Sequence, residues 1–392
     1  MIIESLLDLD FYKLTMLNCV LQKFPDAEVE YKFKCRTPGT ILFPHASRIR
    51  REINHVSTLF FTKDEIEYLS EIKLFKQSFI SFLKILHLDS KQVLIGNEIG
   101  DITIKGSWWQ TILWETIILS IVNEIYFRDK ASVVNTFDKL YHTNYNVGDD
   151  HLTNKLKILN SIPKDSIRIT DFGTRRRFSR DWQEHVVSRM KNECTNFSGT
   201  SNVLLAKKLD LTPIGTMAHE MFMASQNLGP RLFDAQKFTL QSWADVYRGD
   251  LGIALSDTYG FDAFLRDFDP YFAKLFDGCR HDSGDPFVWC EKLIVHYEKL
   301  NIDPKSKVAV FSDSLNAQLI LDLYNTFKGK IKLSFGIGTN LTNDVGLTPL
   351  NIVIKMSKCN GQSVAKLSDN VGKTMCDDES YLNYLKKVYK VS

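Results

Sequence analysis

The stretch "GCRHDSGDPFVWCEKLIVHYEKLNIDPKSKVAVFSDSLN" (residues 278–316) contains the pattern from which the fold is predicted. A short apolar run ends in a polar cluster, a helix-like segment follows over 285–300, and a second apolar run ends in another polar cluster. A strand, a helix and a second parallel strand give this pattern, and one such unit takes about 30 residues. The stretch therefore predicts two parallel strands whose polar ends lie on the same side.

The same pattern recurs between residues 167 and 340. Seven apolar runs each end in a small or polar cluster: "IRITDFGTRRR" (167–177), "NFSGTSN" (196–202), "TPIGTMAHE" (212–220), "LGIALSDTYG" (251–260), "GCRHDSGDP" (278–286), "VAVFSDSLN" (308–316) and "IKLSFGIGTN" (331–340). Helix-like segments separate them, so we expect an α/β fold with a (β/α) barrel whose polar strand ends converge on one face. A doubly wound open sheet has the same texture and stays the alternative.

The segments on either side of this region predict a second lobe. "VEYKFKC" (29–35) alternates like a half-exposed strand, and 107–127 has the apolar spacing of a buried helix. "NIVIKMSKCNGQSVAKLSD" (351–369) is predicted to be a hairpin around Asn360-Gly361, which would return to the N-terminal sheet. We therefore expect an irregular barrel domain over 136–344 and an α/β sandwich lobe built from 1–135 and 345–392.

Composition and charge narrow the classes of function. The chain has 392 residues and a net charge of only +2, which predicts no broad basic face for nucleic acid. The most apolar segment, 116–127, is too short to span a bilayer and contains Glu124, so we expect no membrane span. Seven cysteines without a CxxC spacing, and an N-terminus unlike a signal peptide, predict a reduced cytoplasmic protein.

Two clusters at strand ends predict a site for a phosphorylated sugar. Four arginines, at 175, 176, 177 and 180, follow the first run beside Phe172, whose ring could stack on an aromatic ligand. The Gly-rich loop "SFGIGTN" (334–340) follows the seventh run, where barrels often bind phosphate. The chain has no GxxxxGK[ST] motif, so ATP, if used, is not held by a P-loop.

Acids and one histidine complete the candidate site. Asp282 and Asp313 at strand ends suit ribose hydroxyls or Mg²⁺. A metal-dependent hydrolase would need further histidines at strand ends, and only His219 qualifies. Considered alone, His219 fits a buried structural role or, with Thr216 and Glu220 beside it, a titrating or nucleophilic one, and both interpretations stay open.

Ten motifs between residues 6 and 376, taken in order, resemble the nicotinate phosphoribosyltransferase family. They are "LLDLDFYK", "DFGTRRRFS", "GTSN", "TPIGTMAHE", "LSDTYG", "RHDSGDP", "FSDSLN", "SFGIGTNLTND", "PLNIVIK" and "AKLSDN..GKTM". The resemblance implies that nicotinate displaces pyrophosphate from phosphoribosyl pyrophosphate (PRPP), giving nicotinate mononucleotide for NAD biosynthesis. It also implies ATP as a co-substrate, Mg²⁺, a phosphorylated histidine that matches His219, and a homodimer with shared active sites.

The resemblance also suggests a role for each matching residue. The catalytic group would be His219, with Asp257 and Glu220 beside it. Phe172 would stack on the pyridine ring, while Tyr12 and Asp10 would reach into the partner's site. The remaining substrate contacts would be Ser201 and Arg280 near the nicotinate carboxylate, Arg175 near PRPP, and Asp282, Ser312, Asp313, Gly338 and Thr339 around the ribose and its phosphate. Because nicotinate is an anion, we expect no acid beside Ser201.

Three other functions remain as alternatives. One is an ATP-independent phosphoribosyltransferase that acts on another pyridine base. The second is a sugar-phosphate barrel enzyme, although such aldolases and isomerases usually use a lysine at a strand end, and none of the seven ends supplies one at its apex. The third is a nucleotide-binding regulator without catalysis. ATPase and turnover assays separate these alternatives.

Overall fold

A computed structural model describes residues 1–40, 42–96, 101–132, 137–370, 373–374 and 376–391 of the chain. In chain order, its strands are β1 (Glu28–Cys35), β2 (Val93–Ile95), β3 (Ile102–Ser107), β4 (Arg168–Asp171), β5 (Phe197–Thr200), β6 (Thr212–Pro213), β7 (Ile253–Leu255), β8 (Gly278–His281), β9 (Val308–Phe311), β10 (Lys332–Ile337), β11 (Ile352–Cys359) and β12 (Gln362–Ser363).

The helices are, in the same order, α1 (Phe11–Lys23), α2 (Ala46–Val56), α3 (Lys63–Glu71), α4 (Gln77–Leu83), α5 (Trp108–Thr111), α6 (Trp114–Ser132), α7 (Phe137–Leu159), α8 (Arg180–Glu193), α9 (Val203–Lys208), α10 (His219–Ala224), α11 (Ala235–Tyr247), α12 (Phe261–Asp267), α13 (Pro270–Leu275), α14 (Pro286–Lys299), α15 (Ala317–Phe327), α16 (Thr339–Thr342) and α17 (Glu379–Tyr389).

The barrel domain is built on a curled parallel sheet. Within the described residues it has seven strands in the order β6-β5-β4-β10-β9-β8-β7, so each of the seven predicted runs supplies a strand. Along the described chain β6 does not pair with β7, and the sheet is a half-barrel. The physical reason lies in β6, which has two residues, one of them Pro213 without an N–H to donate. The predicted α/β fold is confirmed, and the barrel stays open between β6 and β7.

The second lobe contains an antiparallel sheet that both ends of the chain complete. Among the described residues its strand order is β12-β11-β1-β3-β2, and Ile354 of β11 pairs with Phe33 of β1. Asn360 and Gly361 both have positive φ, at 50° and 77°, as the predicted tight turn requires. The prediction that the hairpin returns to the N-terminal sheet is confirmed, and it brings β11 to the mouth of the half-barrel.

The segment predicted as one buried helix is divided between α5 and α6. Trp108 and Trp114 of this segment are completely buried, which agrees with the buried position predicted for it. The predicted domain boundary between residues 135 and 136 lies outside the described residues, and the one between 344 and 345 stays a prediction. Along the described chain, no helix is both long and apolar enough to cross a membrane.

Candidate active site

A cavity of about 700 Å³ lies at the carboxyl ends of the parallel strands, and residues of β11 also line it. Because the carboxyl ends of parallel strands share one edge, side chains far apart in the sequence meet here. The cavity lining includes His219 and every residue that the sequence analysis assigned to substrate binding: Asp10, Tyr12, Phe172, Arg175, Ser201, Arg280, Asp282, Ser312, Asp313, Gly338 and Thr339.

Aromatic side chains form one part of the cavity wall. The ring of Phe172 lies against Gly336, where a Cβ atom would come within 2.2 Å of the ring. Tyr12 follows at the start of α1, and a Cβ on Gly215 would lie 2.8 Å from its backbone nitrogen. Two glycines therefore allow both rings to reach the cavity, because any larger residue at either position would displace a ring or a backbone.

The expectation that Tyr12 reaches into a partner's site concerns a second chain and stays a prediction. Tyr12 and Phe172 both line the cavity of one chain. The guanidinium of Arg175 lies over the Tyr12 ring, 5.8 Å from its centre. Phe11, next in the chain, donates its backbone N–H to the carbonyl of Ser201 at 2.7 Å and so fixes the start of α1 beside the end of β5. Within one chain, the start of α1 therefore contributes to the same cavity as Phe172.

The expectation that no acid lies beside Ser201 is wrong. The hydroxyl of Ser201 donates to Oδ1 of Asp10 at 2.6 Å, and the two side chains share the same corner of the cavity. Burial raises the pKa of Asp10, although Arg175 and Ser201 act in the opposite direction. The sequence could not show this contact, because 191 positions separate the two residues.

His219 begins α10 and lies in a compact charged cluster. Its Nε2 is 2.8 Å from Oδ1 of Asp257, 2.8 Å from Nζ of Lys366 and 3.4 Å from Oδ2 of Asp282. Burial and Lys366 lower the pKa of His219 to about 4, against the opposing effect of Asp257. The imidazole is therefore neutral near pH 7 and keeps a lone pair for nucleophilic attack.

Asp257 lies behind His219 and outside the cavity lining. Its Oδ2 accepts a hydrogen bond from Ser283 at 2.6 Å and pairs with Lys366 at 2.7 Å. Burial would raise the pKa of Asp257, but Lys366 and His219 hold it well below the usual range. Asp257 is therefore ionised, and it orients the imidazole instead of contacting a ligand.

Glu220 is likewise outside the cavity lining. Its carboxylate pairs with Lys13 and accepts hydrogen bonds from the hydroxyl of Tyr31 and from Nε1 of Trp108, the latter at 3.3 Å. These groups lie in the protein interior, so the side chain faces away from the ligand space. Any catalytic role of Glu220 would therefore be indirect, because its side chain does not reach the space for the ligand.

Several cations of the cavity wall were not predicted from the sequence. Along the described chain the lining contains seven basic side chains and four carboxylates, so its net charge is positive and suits a polyanion: Arg36, Arg175, Arg176, Arg280, Lys355, Lys366 and Lys373, with Asp10, Glu115, Asp282 and Asp313. The lysines belong to β11 and the segment after β12. The motifs "PLNIVIK" and "AKLSDN..GKTM" contained all three lysines, but the sequence did not show which face they would occupy.

Burial lowers the pKa of two of these cations. It lowers the pKa of Lys355 to about 7, with a further contribution from Lys366. It lowers the pKa of Arg176 to about 10, with Arg175 and Arg36 acting in the same direction. The repulsion between these neighbouring positive charges falls when an anion binds between them. The wall is therefore prepared for phosphate groups.

Two family models match the chain. The nicotinate phosphoribosyltransferase (NAPRTase) family model matches residues 167–392, and the NAPRTase N-terminal domain model matches residues 7–123. The chain belongs to the nicotinate phosphoribosyltransferase family. The resemblance found in the motifs is therefore confirmed. Because the members of this family are enzymes, a regulator without catalysis is no longer a good interpretation of the chain.

Relatives and solved structures agree with this family over the whole chain. A nicotinate phosphoribosyltransferase from Ralstonia nicotianae is 52% identical over 397 residues, covering 100% of both chains. One from Burkholderia mallei is 52% identical over 400 residues, covering 100% of this chain and 98% of the relative. The crystal structure of nicotinate phosphoribosyltransferase from Vibrio cholerae superposes with a TM-score of 0.89 at 39% identity, covering 100% of this chain and 94% of that one. The enzyme from Porphyromonas gingivalis gives 0.88 at 34%, with coverage of 99% and 100%.

Proposed function

We propose that this nicotinate phosphoribosyltransferase family member joins nicotinate to PRPP and couples the transfer to ATP hydrolysis, for NAD biosynthesis. The products would be nicotinate mononucleotide, diphosphate, ADP and phosphate. The observation that carries the proposal is that a ring-stacking wall, a cation-rich wall and a neutral histidine share one cavity. A sugar-phosphate aldolase or isomerase would have no need of this combination.

Ring stacking and cations would position the two substrates. Phe172 and Tyr12 would hold the pyridine ring, while Arg175 and Lys355 would bind the phosphates of PRPP. The pyridine nitrogen would then attack C1 of the ribose as the bond from C1 to the pyrophosphate oxygen breaks. This transfer develops positive charge on the sugar and negative charge on the leaving group, so fixed cations around the pyrophosphate accelerate it.

Acids and the Gly-rich loop would hold the sugar. Asp282 and Asp313 line the cavity, and the hydroxyl of Ser312 donates to Oδ1 of Asp282 at 3.0 Å. Burial would raise the pKa of Asp282, but His219, Lys366 and Arg280 hold it below the usual range, so it is available as an anion. Carboxylates of this kind accept hydrogen bonds from ribose hydroxyls. Gly338 and Thr339 precede and begin α16, where backbone N–H groups suit the ribose phosphate.

The same acids fit Mg²⁺. This ion takes one or two protein carboxylates together with substrate phosphates, and Asp282 and Asp313 offer oxygen atoms beside the cation wall, although Lys373 pairs with one oxygen of Asp313 at 2.5 Å. His219, Asp257 and Asp282 also place ligand atoms within 4.8 Å of one another, but Lys366 contacts the first two of them and disfavours a cation there. Bound at the first pair, Mg²⁺ would neutralise charge on the leaving pyrophosphate.

His219 would accept the γ-phosphoryl group of ATP. An imidazole nitrogen attacks the γ-phosphorus, the bond to the bridging oxygen breaks, and ADP leaves with the electron pair. Hydrolysis of the phosphohistidine later returns the imidazole and phosphate. The low pKa of His219 keeps the imidazole neutral and therefore nucleophilic. The contact between its Nε2 and Oδ1 of Asp257, at 2.8 Å, fixes the orientation of the ring. A phosphoryl group at this position adds negative charge beside the Lys366 ammonium.

The homodimer and the cytoplasmic location implied by the sequence remain predictions. Sedimentation of the purified protein tests the first and cell fractionation tests the second. The shared active sites that the resemblance implies also stay a prediction, which mixing of inactive variants tests.

The deciding experiment is incubation with nicotinate, PRPP and Mg²⁺, with and without ATP, followed by quantification of the mononucleotide and of ADP. We expect product in both reactions and faster formation with ATP. Product formation that is indifferent to ATP, with no ADP released, would favour the ATP-independent transferase. Nicotinamide in place of nicotinate serves as the control for the base.

A further inference from the structure

A buried ionic cluster connects two sides of the cavity and has no direct role in the proposed transfer. Lys13 of α1 is completely buried, and its Nζ lies 2.6 Å from Oε2 of Glu115 and forms an ion pair with Oε1 of Glu220. The other oxygen of Glu220 accepts hydrogen bonds from Tyr31 and Trp108. One buried ammonium is thus shared by two carboxylates.

The cluster is costly to bury, so stability alone does not account for it. Burial by itself would lower the pKa of Lys13, but Glu115 and Glu220 raise it above its usual value, so the side chain stays charged. Burial would raise the pKa of Glu115, whereas Lys13 and Arg175 lower it. Well-packed apolar side chains often replace such clusters without loss of stability, because desolvation offsets the attraction between the charges.

The positions of the three charged residues suggest what the cluster does. Lys13 directly follows Tyr12, and Glu220 directly follows His219. Glu115 itself lines the cavity, and its Oε1 lies 3.7 Å from Nη1 of Arg175. A continuous series of charges therefore runs from the aromatic wall, through the buried ammonium, to the helix that carries the histidine.

We propose that Lys13 is a positioning residue that couples the pyridine-binding side of the cavity to His219. The inference rests on the proposed phosphorylation of His219. An anionic substrate on Arg175 weakens the attraction between Arg175 and Glu115, so Glu115 draws more strongly on the ammonium that it shares with Glu220. The start of α10 responds because Glu220 lies there. Lys13 touches no substrate, and its effect appears in coupling, not in either half-reaction.

The test is the full-length Lys13→Met variant, with ATP hydrolysed per mononucleotide formed as the readout. We expect this ratio to rise at least fivefold over the wild type, while ATP alone still phosphorylates His219. The matched control is Lys307→Met. Lys307 is also a buried lysine, but its ammonium donates to the carbonyls of Lys274 and Phe276 at the amino end of β9, away from the cavity. Its ratio should stay at the wild-type value.

A second variant keeps the test decisive if Lys13→Met does not fold. Glu220→Gln retains an acceptor for Tyr31 and Trp108 but removes the charge that holds the ammonium, so its ratio should also rise. A ratio in the folded variants equal to that of Lys307→Met overturns the coupling role. A wild type that forms no ATP-dependent phosphoprotein overturns the proposed function as well, and that result is visible before any variant is measured.

Discussion

Nε2 of His219 lies 2.8 Å from Oδ1 of Asp257, although 38 positions separate the two residues. Asp257 follows β7 and His219 begins α10, so the curled sheet brings them together. The other oxygen of Asp257 binds Lys366, which comes from the second lobe. Both lobes therefore determine the protonation and orientation of one imidazole.

His219→Ala should abolish ATP hydrolysis and the acid-labile phosphoprotein, because no other nucleophile takes its place in the proposed mechanism. Slow transfer from PRPP without ATP should persist, since the ring-stacking and cation walls are intact. Product formation and ADP release are followed together. His185→Ala, at a half-exposed histidine paired with Asp149, is the matched control and should behave like the wild type. ATP stimulation of the His219→Ala variant would refute the role.

His219 should become protonated at a lower pH than an ordinary histidine. Its pKa is lowered from 6.5 to about 4, so the imidazole stays neutral as the pH falls from 8 to about 5. The unfolded chain binds the proton first, so this group's contribution to stability is complete above pH 6.5 and is lost between pH 6.5 and 4. The loss amounts to at most about 3.4 kcal/mol, because the shift is about 2.5 pKa units and each unit is worth about 1.36 kcal/mol.

Ring-proton NMR against pH measures the titration, and thermal unfolding measures the stability. Lys366→Met should raise the pKa of His219, because Lys366 is one of the causes of the shift. A midpoint near 6.5 in the wild type would contradict the burial of the imidazole.

Ser201→Asp should weaken the use of nicotinate by more than tenfold in kcat/KM. The new carboxylate would face Asp10, to which Ser201 now donates at 2.6 Å, as well as the substrate anion. Two like charges at about 4 Å repel by about 4 kcal/mol at an effective dielectric near 20. Since each 1.4 kcal/mol is roughly tenfold, half of that repulsion is enough. A fall of less than threefold would show that Ser201 does not face the carboxylate.

The double variant Ser201→Asp/Asp10→Asn separates the two repulsions in that experiment. It removes the charge of Asp10 and keeps the charge at position 201. If part of the activity returns, the contact between residues 10 and 201 accounts for part of the loss. If none returns, the repulsion is between position 201 and the substrate.

Mixing inactive Tyr12→Ala and Phe172→Ala proteins should restore part of the activity, because the resemblance implies that Tyr12 of one chain completes the site of its partner. Each mixed dimer would then contain one site with both rings, whereas no recovery despite proven exchange would count against shared sites. The measurement is turnover after verified subunit exchange, compared with the two variants kept apart. Recovery toward a quarter of the wild-type rate would show that Tyr12 acts across a subunit interface.

Much of the fold followed from local patterns. The spacing of the seven apolar runs depends on strand and helix length alone, and the Asn360-Gly361 turn depends on two residues that tolerate positive φ. Both were therefore predictable. The open seam between β6 and β7 was not, because it depends on how few residues of "TPIGTMAHE" pair with a neighbour.

The residue types of the site and, through ten ordered motifs, the family follow from the order of the amino acids alone. Which of these side chains meet depends on the tertiary fold. Glu220 adjoins His219 in the chain but faces Lys13 in the interior, because successive residues of a helix point in different directions. Ser201 and Asp10, 191 positions apart, share a hydrogen bond. Lys366 reaches His219 because the pairing of β11 with β1 brings that segment over the half-barrel, and such long-range pairing depends on the whole fold.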